Sequence, residues 1–499
     1  PRKASRPRRC SAAQGAGRAA PVAWVPPTRA EAWARDREIL ALAWPAVLSA
    51  SIDPVLSLVD TYWVSVSLGT VSLAALGPAL NLEDWLFEIL KTIQIPVRTL
   101  AAQAVAAGSM GALRNTLEQS LCLAWRVGLF VAVAGTFAAP VLLSLCSVPP
   151  SSALFLPAKR YLVPRFWGTP GLLTLIVLQA ALSGGFKDTR TILGLVLLGA
   201  AINAILTPLF IVSFGLGTAG AAWATSIACY GSALAAWAAM RRRQQPGARL
   251  LPRARALLAR ALGGRRAADP AEDPAASASW MPLLRANAAM SVRTFASLTT
   301  WLIAGAKIIR LGVVPLAAYT CMVKTFLLLL FSLYGFQLAA QVLVGSEVAN
   351  GDARRARWTA VRIVRLGVLV ALAAAAALTF GQGAIARALS IDATVAVAFA
   401  ELVPPAAVML VIYGVLWTLD GVVYGLGQYV WAAQCNVIAS LASLVAILFF
   451  ASSATGVWWS LNVLTACRTL ASVHHVFIDP KSPLAVPPSA GAVSSGASA

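Results

Sequence analysis

Residues 39–64 read ILALAWPAVLSASIDPVLSLVDTYWV, a long apolar stretch whose only charges are Asp53 and Asp60. At 1.5 Å per residue, a helix of this length crosses the ~30 Å hydrocarbon core of a bilayer. The two acids are two turns apart, so they point from one face, roughly 10 Å apart along the axis. Pro54 frees a backbone carbonyl one turn earlier and makes a natural hinge. A carboxylate at the centre of an apolar helix costs roughly 2.5–3.5 kcal/mol and persists where it meets a polar cavity or a partner. Asp60 is therefore expected to accept a proton or a cation; the alternative is a structural acid that never titrates. The same two readings stand for Asp53, nearer the membrane surface.

Working outward, windows of similar length recur near 72–105, 117–146, 160–184, 191–214, 217–240, 285–310, 314–349, 358–381, 396–424, 431–453 and 456–473. With the first they make twelve candidate spans. The second and eighth are long enough for a tilted or broken helix, and Pro96 lies inside the second. Composition agrees: 59% of the 499 residues are hydrophobic and 12% charged, about half the charge of a soluble domain. The fold class expected is an all-α integral membrane protein of twelve transmembrane helices.

Net charge is +21, yet the basic residues lie between apolar runs and near the N-terminus rather than on a soluble face. This is the positive-inside pattern, and no nucleic-acid partner is expected. Arg114, Lys187, Arg190, Arg354, Arg355 and Arg357 fall on one side with the termini. Lys159, Arg160, Arg310 and Arg387 fall opposite. Seven cysteines are scattered singly, and the only histidines are His474 and His475, after the last apolar run. Neither a disulfide framework nor a zinc site is indicated, and a His-dependent site inside the membrane is excluded.

The two sextets resemble each other. SLGTVSLAALG at 67–77 matches RLGVVPLAAYT at 310–320, and AVAAGSMGALR at 104–114 matches EVANGDARRAR at 347–357 in the same register. A parallel repeat implies two six-helix bundles related by a pseudo-twofold axis along the membrane normal, with a cleft between them. The expected organisation is a basic segment over 1–36, an N-lobe over 37–240, a basic linker over 241–284 containing a short surface helix, a C-lobe over 285–473 and a disordered tail over 474–499. The acid-poor, Arg-rich segment before residue 30 reads as a plastid import signal or as a basic tail enforcing orientation.

Other polar residues fall inside the spans. Asn203 and Thr207 share a helix face, either in a proton or cation network with Asp60 or in helix–helix hydrogen bonds. Asp420, in LDGVVYGLG with Tyr424, is a deep acid expected to face substrate or cation. Glu83, Asp84, Glu88 and Lys91 fall within three turns, either as a charged wall of the cleft or as a helix start close to the surface. Glu88 and Lys91 are expected to pair. Lys324 is a candidate anion site; Lys307 and Arg98 are expected to snorkel to the interface.

LSLVDTYWVSVSLGTVSLAALG at 56–77 resembles the first-helix signature of the MATE (multidrug and toxic compound extrusion) family, particularly its DinF-like branch and plant plastid members. SIDP at 51–54, GGFKDTRT at 184–191, GLGTAGAAWAT at 215–225 and LDGVVYGLGQYVWAA at 419–433 are similar to further family segments. The resemblance covers about residues 37–473. It implies a V-shaped cleft and antiport by rocking of two lobes, with Asp60 as the coupling carboxylate and Asn203 in support. Many members carry another acid where this chain has Thr207. Either Asp60 works with Asp53 and Asn203 alone, or Asp420 carries more of the coupling.

The expected function is export of a small organic compound (drug, organic cation, carboxylate or phenolic) by a monomer in a lipid bilayer, driven by H+ or Na+ and needing no cofactor. The membrane expected is the chloroplast envelope, with the plasma or vacuolar membrane as alternatives. Three rivals differ in what they require. A flippase for lipid-linked precursors needs a strongly cationic cleft. An intramembrane transferase needs groups that this chain lacks in its spans. A transport-inactive scaffold would explain the missing acid at Thr207.

Overall fold

The computed structural model describes residues 27–146, 148–243, 251, 280–389 and 392–485, and these form helices joined by short turns, with no strand among them. The N-lobe holds α1 (Arg29–Lys91), α2 (Gln94–Ala106), α3 (Met110–Leu145), α4 (Phe155–Phe186), α5 (Thr189–Pro208) and α6 (Thr218–Arg242). The C-lobe holds α7 (Met281–Ile309), α8 (Val313–Leu330), α9 (Tyr334–Ala349), α10 (Ala353–Ala388), α11 (Ala393–Gly425), α12 (Tyr429–Val445) and α13 (Ala454–Val473).

Helix α1 starts from a capping box in which Thr28 and Glu31 satisfy each other's backbone donors. It bends sharply at Gly69, where φ is 74°, a left-handed conformation that glycine adopts without strain. Its two arms are the first pass and most of the second; α2 completes the second after a break at Thr92–Ile93, just before Pro96. The C-lobe repeats the design. Gly312 turns the chain at φ 111°, and α8 and α9 form one pass broken by a 3-10 turn at Phe331–Leu333. The long second and eighth windows are thus broken helices, and the chain makes twelve passes in two lobes.

The repeat extends to burial and turns. Ala75, Ala79, Glu83 and Phe87 are buried along the second pass, and Ala318, Met322, Phe326 and Leu330 are buried at the matching positions. Gly108 and Gly351 both have left-handed φ, each followed by a helix-capping side chain, Ser109 and Asp352.

Seven passes meet a strict standard of length and hydropathy. The other five are the two arms of α1, the Ala-rich α6, and α7 and α13. Four of these carry charge at mid-helix, which lowers their hydropathy.

Among the described cross-lobe hydrogen bonds, ion pairs and ring contacts, all lie between the face bearing the termini and the level of Trp85 and Phe295, whose rings meet at 5.4 Å. Trp85 is about 24 Å along the helix from the Gly69 turn. The lobes therefore close on the terminal face and part toward the far face, forming a V.

Two expectations need correcting. Arg98 does not snorkel: it is buried where the lobes meet, donating to Ser183 (3.1 Å), Gln341 (3.1 Å) and Gln94 (3.0 Å). Hydrogen-bond acceptors from both lobes hold the guanidinium more cheaply than a climb to the interface. The segment after 473 is also not loose at once. Residues 474–485 pack on the terminal face with Val476 and Leu484 fully buried, held by Arg357 through the Phe477 carbonyl (3.1 Å) and Leu484 carbonyl (3.4 Å). The rest of the tail, the segment before 27 and nearly all of the linker lie outside the described residues.

Candidate functional site

Three helices bring the N-lobe acid site together. Asp60 on the first arm of α1 accepts from Thr207 Oγ1 on α5 (3.0 Å) and from Thr225 Oγ1 on α6 (3.3 Å). Asn203, one turn before Thr207, donates to Thr225 Oγ1 at 2.8 Å, and its Oδ1 is buried without a hydrogen-bond partner. Asp60, Thr207 and Asn203 thus share one cluster, with Thr225 bonded to both Asn203 and Asp60. Sequence reasoning missed Thr225 because it sits in a run of Ala and Gly that reads as packing. The side chain of Asp53 lies outside the described residues.

A second charged group adjoins this one. Glu83 forms a buried ion pair with Arg165 on α4, whose charge is also felt at Asp60. Sequence reasoning missed Arg165, though a guanidinium ten residues into an apolar helix is itself a signal. Asp60 has no described Lys or Arg within ion-pair distance. It is held by neutral groups, the Thr207 and Thr225 hydroxyls and the Asn203 amide.

Glu83, Asp84, Glu88 and Lys91 lie midway along the second pass, so the alternative of a helix start near the surface does not hold. Glu88 and Lys91 pair at 2.8 Å. Asn81, Asp84 and Glu88 share an exposed face of α1. Lys324 and Leu327 stand exposed on α8 at the registers of Asn81 and Asp84. The exposed face is thus acidic in the N-lobe and carries Lys324 at the matching register of the C-lobe.

In the C-lobe, Asp420 on α11 is not a lone acid. Its Oδ2 accepts from Arg293 Nη2 on α7 (2.7 Å) and from Arg468 Nη2 on α13 (2.6 Å). The Arg293 guanidinium also lies over the Tyr424 ring, 5.4 Å from its centre. Asn436 on α12 grips the Arg293 carbonyl at 2.8 Å and takes a hydrogen bond from Ser297 at 3.1 Å. Both arginines escaped the sequence reading, each lying in a span where the apolar count hid it. No group of three or more His, Cys, Asp or Glu residues is placed to hold a metal among the described residues.

Comparison with known proteins places this geometry in context. A family model described as MatE matches residues 45–222 and 289–449. The chain is 26% identical to Protein DETOXIFICATION 44, chloroplastic, of Arabidopsis thaliana over 87% of its own length and 81% of that protein's. It is 31% identical to DNA damage-inducible protein F of Escherichia coli over 40% of this chain and 43% of that one. Its fold matches a solved structure described as the outward-facing conformation of a multidrug resistance MATE family transporter, with TM-score 0.73 and 17% identity over 88% of this chain and 94% of the other.

Proposed function

We propose, from the premise that this chain belongs to the MatE family and is a multi-pass membrane transporter rather than an enzyme, that it is an antiporter exchanging H+ or Na+ for a small organic compound through rocking of its two lobes. The observation that carries this reading is Asp60: an intramembrane carboxylate whose described hydrogen-bond partners are all neutral. A permanent cation beside it would satisfy it and end its use as a carrier of exchangeable charge. Thr207 and Thr225 stabilise the ionised acid, and their oxygens with the free Asn203 Oδ1 suit a hard monovalent cation. They equally suit a carboxylate that has taken up a proton. Thr207, where relatives place an acid, supports Asp60 as a donor and adds no second charge.

In this reading the ion enters the V from the far face and loads Asp60. Loading removes the acid's demand for the two hydroxyls, α1 repacks against α5 and α6, and the lobes close on the far side. Ion and cargo favour opposite lobe arrangements, so each lowers the other's affinity by the same factor. The unit that does this is a single chain. The chloroplast envelope is the membrane proposed, on the basic N-terminal segment and on similarity to a relative named chloroplastic.

The test is exchange in proteoliposomes under an imposed pH or sodium gradient, with a panel of organic cations, carboxylates and phenolics supplied as cargo and ion movement as the readout. Asp60→Asn is expected to abolish gradient-driven exchange while leaving the protein monodisperse. Retained gradient dependence in the variant would remove Asp60 from the coupling role. A milder change tests its neighbours. Replacing Thr207 and Thr225 together by Val removes the hydrogen bonds that favour the ionised acid, so half-maximal exchange is expected at a proton concentration at least about tenfold lower if the ion is H+, and at a concentration at least about tenfold higher if it is Na+, which loses oxygen ligands. The maximal rate should change little.

A further inference from the structure

We propose that Arg165 is a movable counter-ion shared by two acids, Asp60 and Glu83, and that Glu83 is a second station for the transported proton. This rests on the antiporter reading above and goes beyond it by adding a proton-binding acid and by choosing H+ as the coupling ion.

The geometry of the ion pair comes first. Arg165 Nε donates to Glu83 Oε1 at 2.7 Å, and Nη2 donates to that same oxygen. Glu83 Oε2 is buried without a hydrogen-bond partner, on a residue 3% exposed. The fork of an arginine commonly serves both oxygens of a carboxylate, one nitrogen to each. Here one oxygen takes both donors and the other keeps its lone pairs unused in the interior. A proton needs only such a lone pair. A sodium ion needs several oxygens about it, and the described hydrogen bonds join Glu83 to no hydroxyl or amide.

Position supplies the second argument. Asp60 lies about 14 Å before the Gly69 turn at the far face, and Glu83 about 21 Å after it. Arg165 lies about 15 Å into α4, which starts from the same face at Phe155. The root of the arginine thus stands between the levels of the two acids. Its charge acts on Asp60 as well as on Glu83, and Tyr161, one turn earlier on α4, is within electrostatic reach of Asp60, Glu83, Asp84 and Arg165. The other titratable groups about the pair are Cys229 on α6 and Asp84, Glu88 and Lys91 on α1.

Charge balance then permits an exchange. Two carboxylates and one guanidinium carry one net negative charge, which a single proton neutralises. While the proton is on Asp60, Arg165 pairs with Glu83, as it does in this structure. Passing the proton onward breaks the O–H bond on Asp60 and forms one on Glu83. Asp60 is then ionised, Glu83 is neutral, and Arg165 crosses from Glu83 to Asp60. The group is neutral before and after, so no charge is stranded in the interior. Because Glu83 holds the guanidinium while Asp60 loads, Arg165 does not block the first station. Glu83 lies two residues before Trp85, whose ring meets Phe295 of the other lobe, and next to the exposed Asp84. The exchange therefore carries the proton from the level of Asp60 to the level at which the lobes meet, where opening of the terminal face releases it.

The experiment uses the full-length protein in proteoliposomes with the cargo panel above. An imposed pH gradient is expected to drive exchange by wild type, and Glu83→Gln is expected to lower it at least about tenfold. The thermal inactivation midpoint supplies a readout that needs no transport. Glu83→Gln leaves Arg165 able to take Asp60, and Asp60→Asn leaves the Glu83 pair intact, so each midpoint should fall little. Together they strand the guanidinium among neutral groups, and the double variant is expected to fall further than the two single falls combined. A double variant that fails to fold where each single variant folds is the same result carried further. Additive falls would show that Arg165 serves Glu83 alone and would overturn the proposal, as would a Glu83→Gln protein driven by the pH gradient as well as wild type. Exchange driven by sodium and not by pH overturns this proposal while leaving Asp60 as the coupling acid. A wild type driven by neither gradient denies the antiporter reading itself, and the midpoints still decide whether the arginine is shared.

Discussion

Arg165→Gln is expected to be among the most damaging single substitutions in the N-lobe. Glu83 is 3% exposed, and the charge of Arg165 is its described ion-pair partner. Removing one member of a buried pair strands the other without water, at a cost of about 3–5 kcal/mol. One Glu83 carboxylate oxygen, Oε2, already lacks a hydrogen bond, so the pair has little slack to redistribute. The measurement is the thermal inactivation midpoint of the purified protein in detergent, expected to fall by several degrees. Glu83→Gln with Arg165→Met should recover much of the loss, because a pair of neutral groups leaves no stranded charge. If the double variant is as unstable as the single, the damage comes from lost packing against Phe87, over whose ring the guanidinium lies at 5.5 Å. In the C-lobe the register of Glu83 is filled by Phe326, within an aromatic core with Trp458 and Tyr413. The same position is thus solved once with charge and once with rings.

Gly335→Val is expected to push the lobes apart on the terminal face. Gly335, in the first turn of α9, lies directly against the backbone carbonyl of Ala43 on α1, and a Cβ there would overlap that oxygen. Nearby, Ala46 packs with Leu338 and Val342 across the same seam. Overpacking costs about 1–3 kcal/mol. Here that energy is spent in the closed arrangement and released when the seam opens, which shifts the balance of lobe arrangements by roughly 5–150-fold. A cysteine placed at Ala46 should become reactive to a membrane-impermeant thiol reagent added from the terminal face. Gly184→Ala is the control. Its Cβ meets the carbonyl of Arg98 within the N-lobe, so it should lower stability without exposing position 46. Equal reactivity in the two variants would mean that the probe reports general loosening rather than movement of the lobes.

How much of this was legible beforehand follows from what hydropathy measures. Long apolar runs fix passes well, and the shared glycines at 69 and 312 with their flanking residues fixed the repeat. Asp60, Asn203 and Thr207 were visible because polar groups in an apolar helix stand out, and their spacing put them on reachable faces. Arg165, Arg293 and Arg468 were missed for a physical reason. Each acts through a partner more than forty residues away in sequence, and only the folded bundle shows that Asp420 is shared by two cations. Arg98 was read from its helix alone, which suggests snorkelling, whereas its acceptors come mainly from other helices and the opposite lobe.

The Arg98–Gln341 contact has a consequence for how the two halves can associate. These residues are separated by the interval that separates Gly69 from Gly312, so they occupy the same position in each half, and they bond directly to one another. Equivalent residues in contact sit beside the pseudo-twofold axis. Two N-terminal halves paired across this surface would bring two Arg98 guanidiniums face to face, with like charges opposed in a buried setting. Two C-terminal halves would present Gln341 to itself without the fork that ties together Gln94, Ser183 and Tyr334. Self-pairing is discouraged on one side and unrewarded on the other. Arginine facing glutamine thus favours pairing of each half with its opposite over pairing with itself.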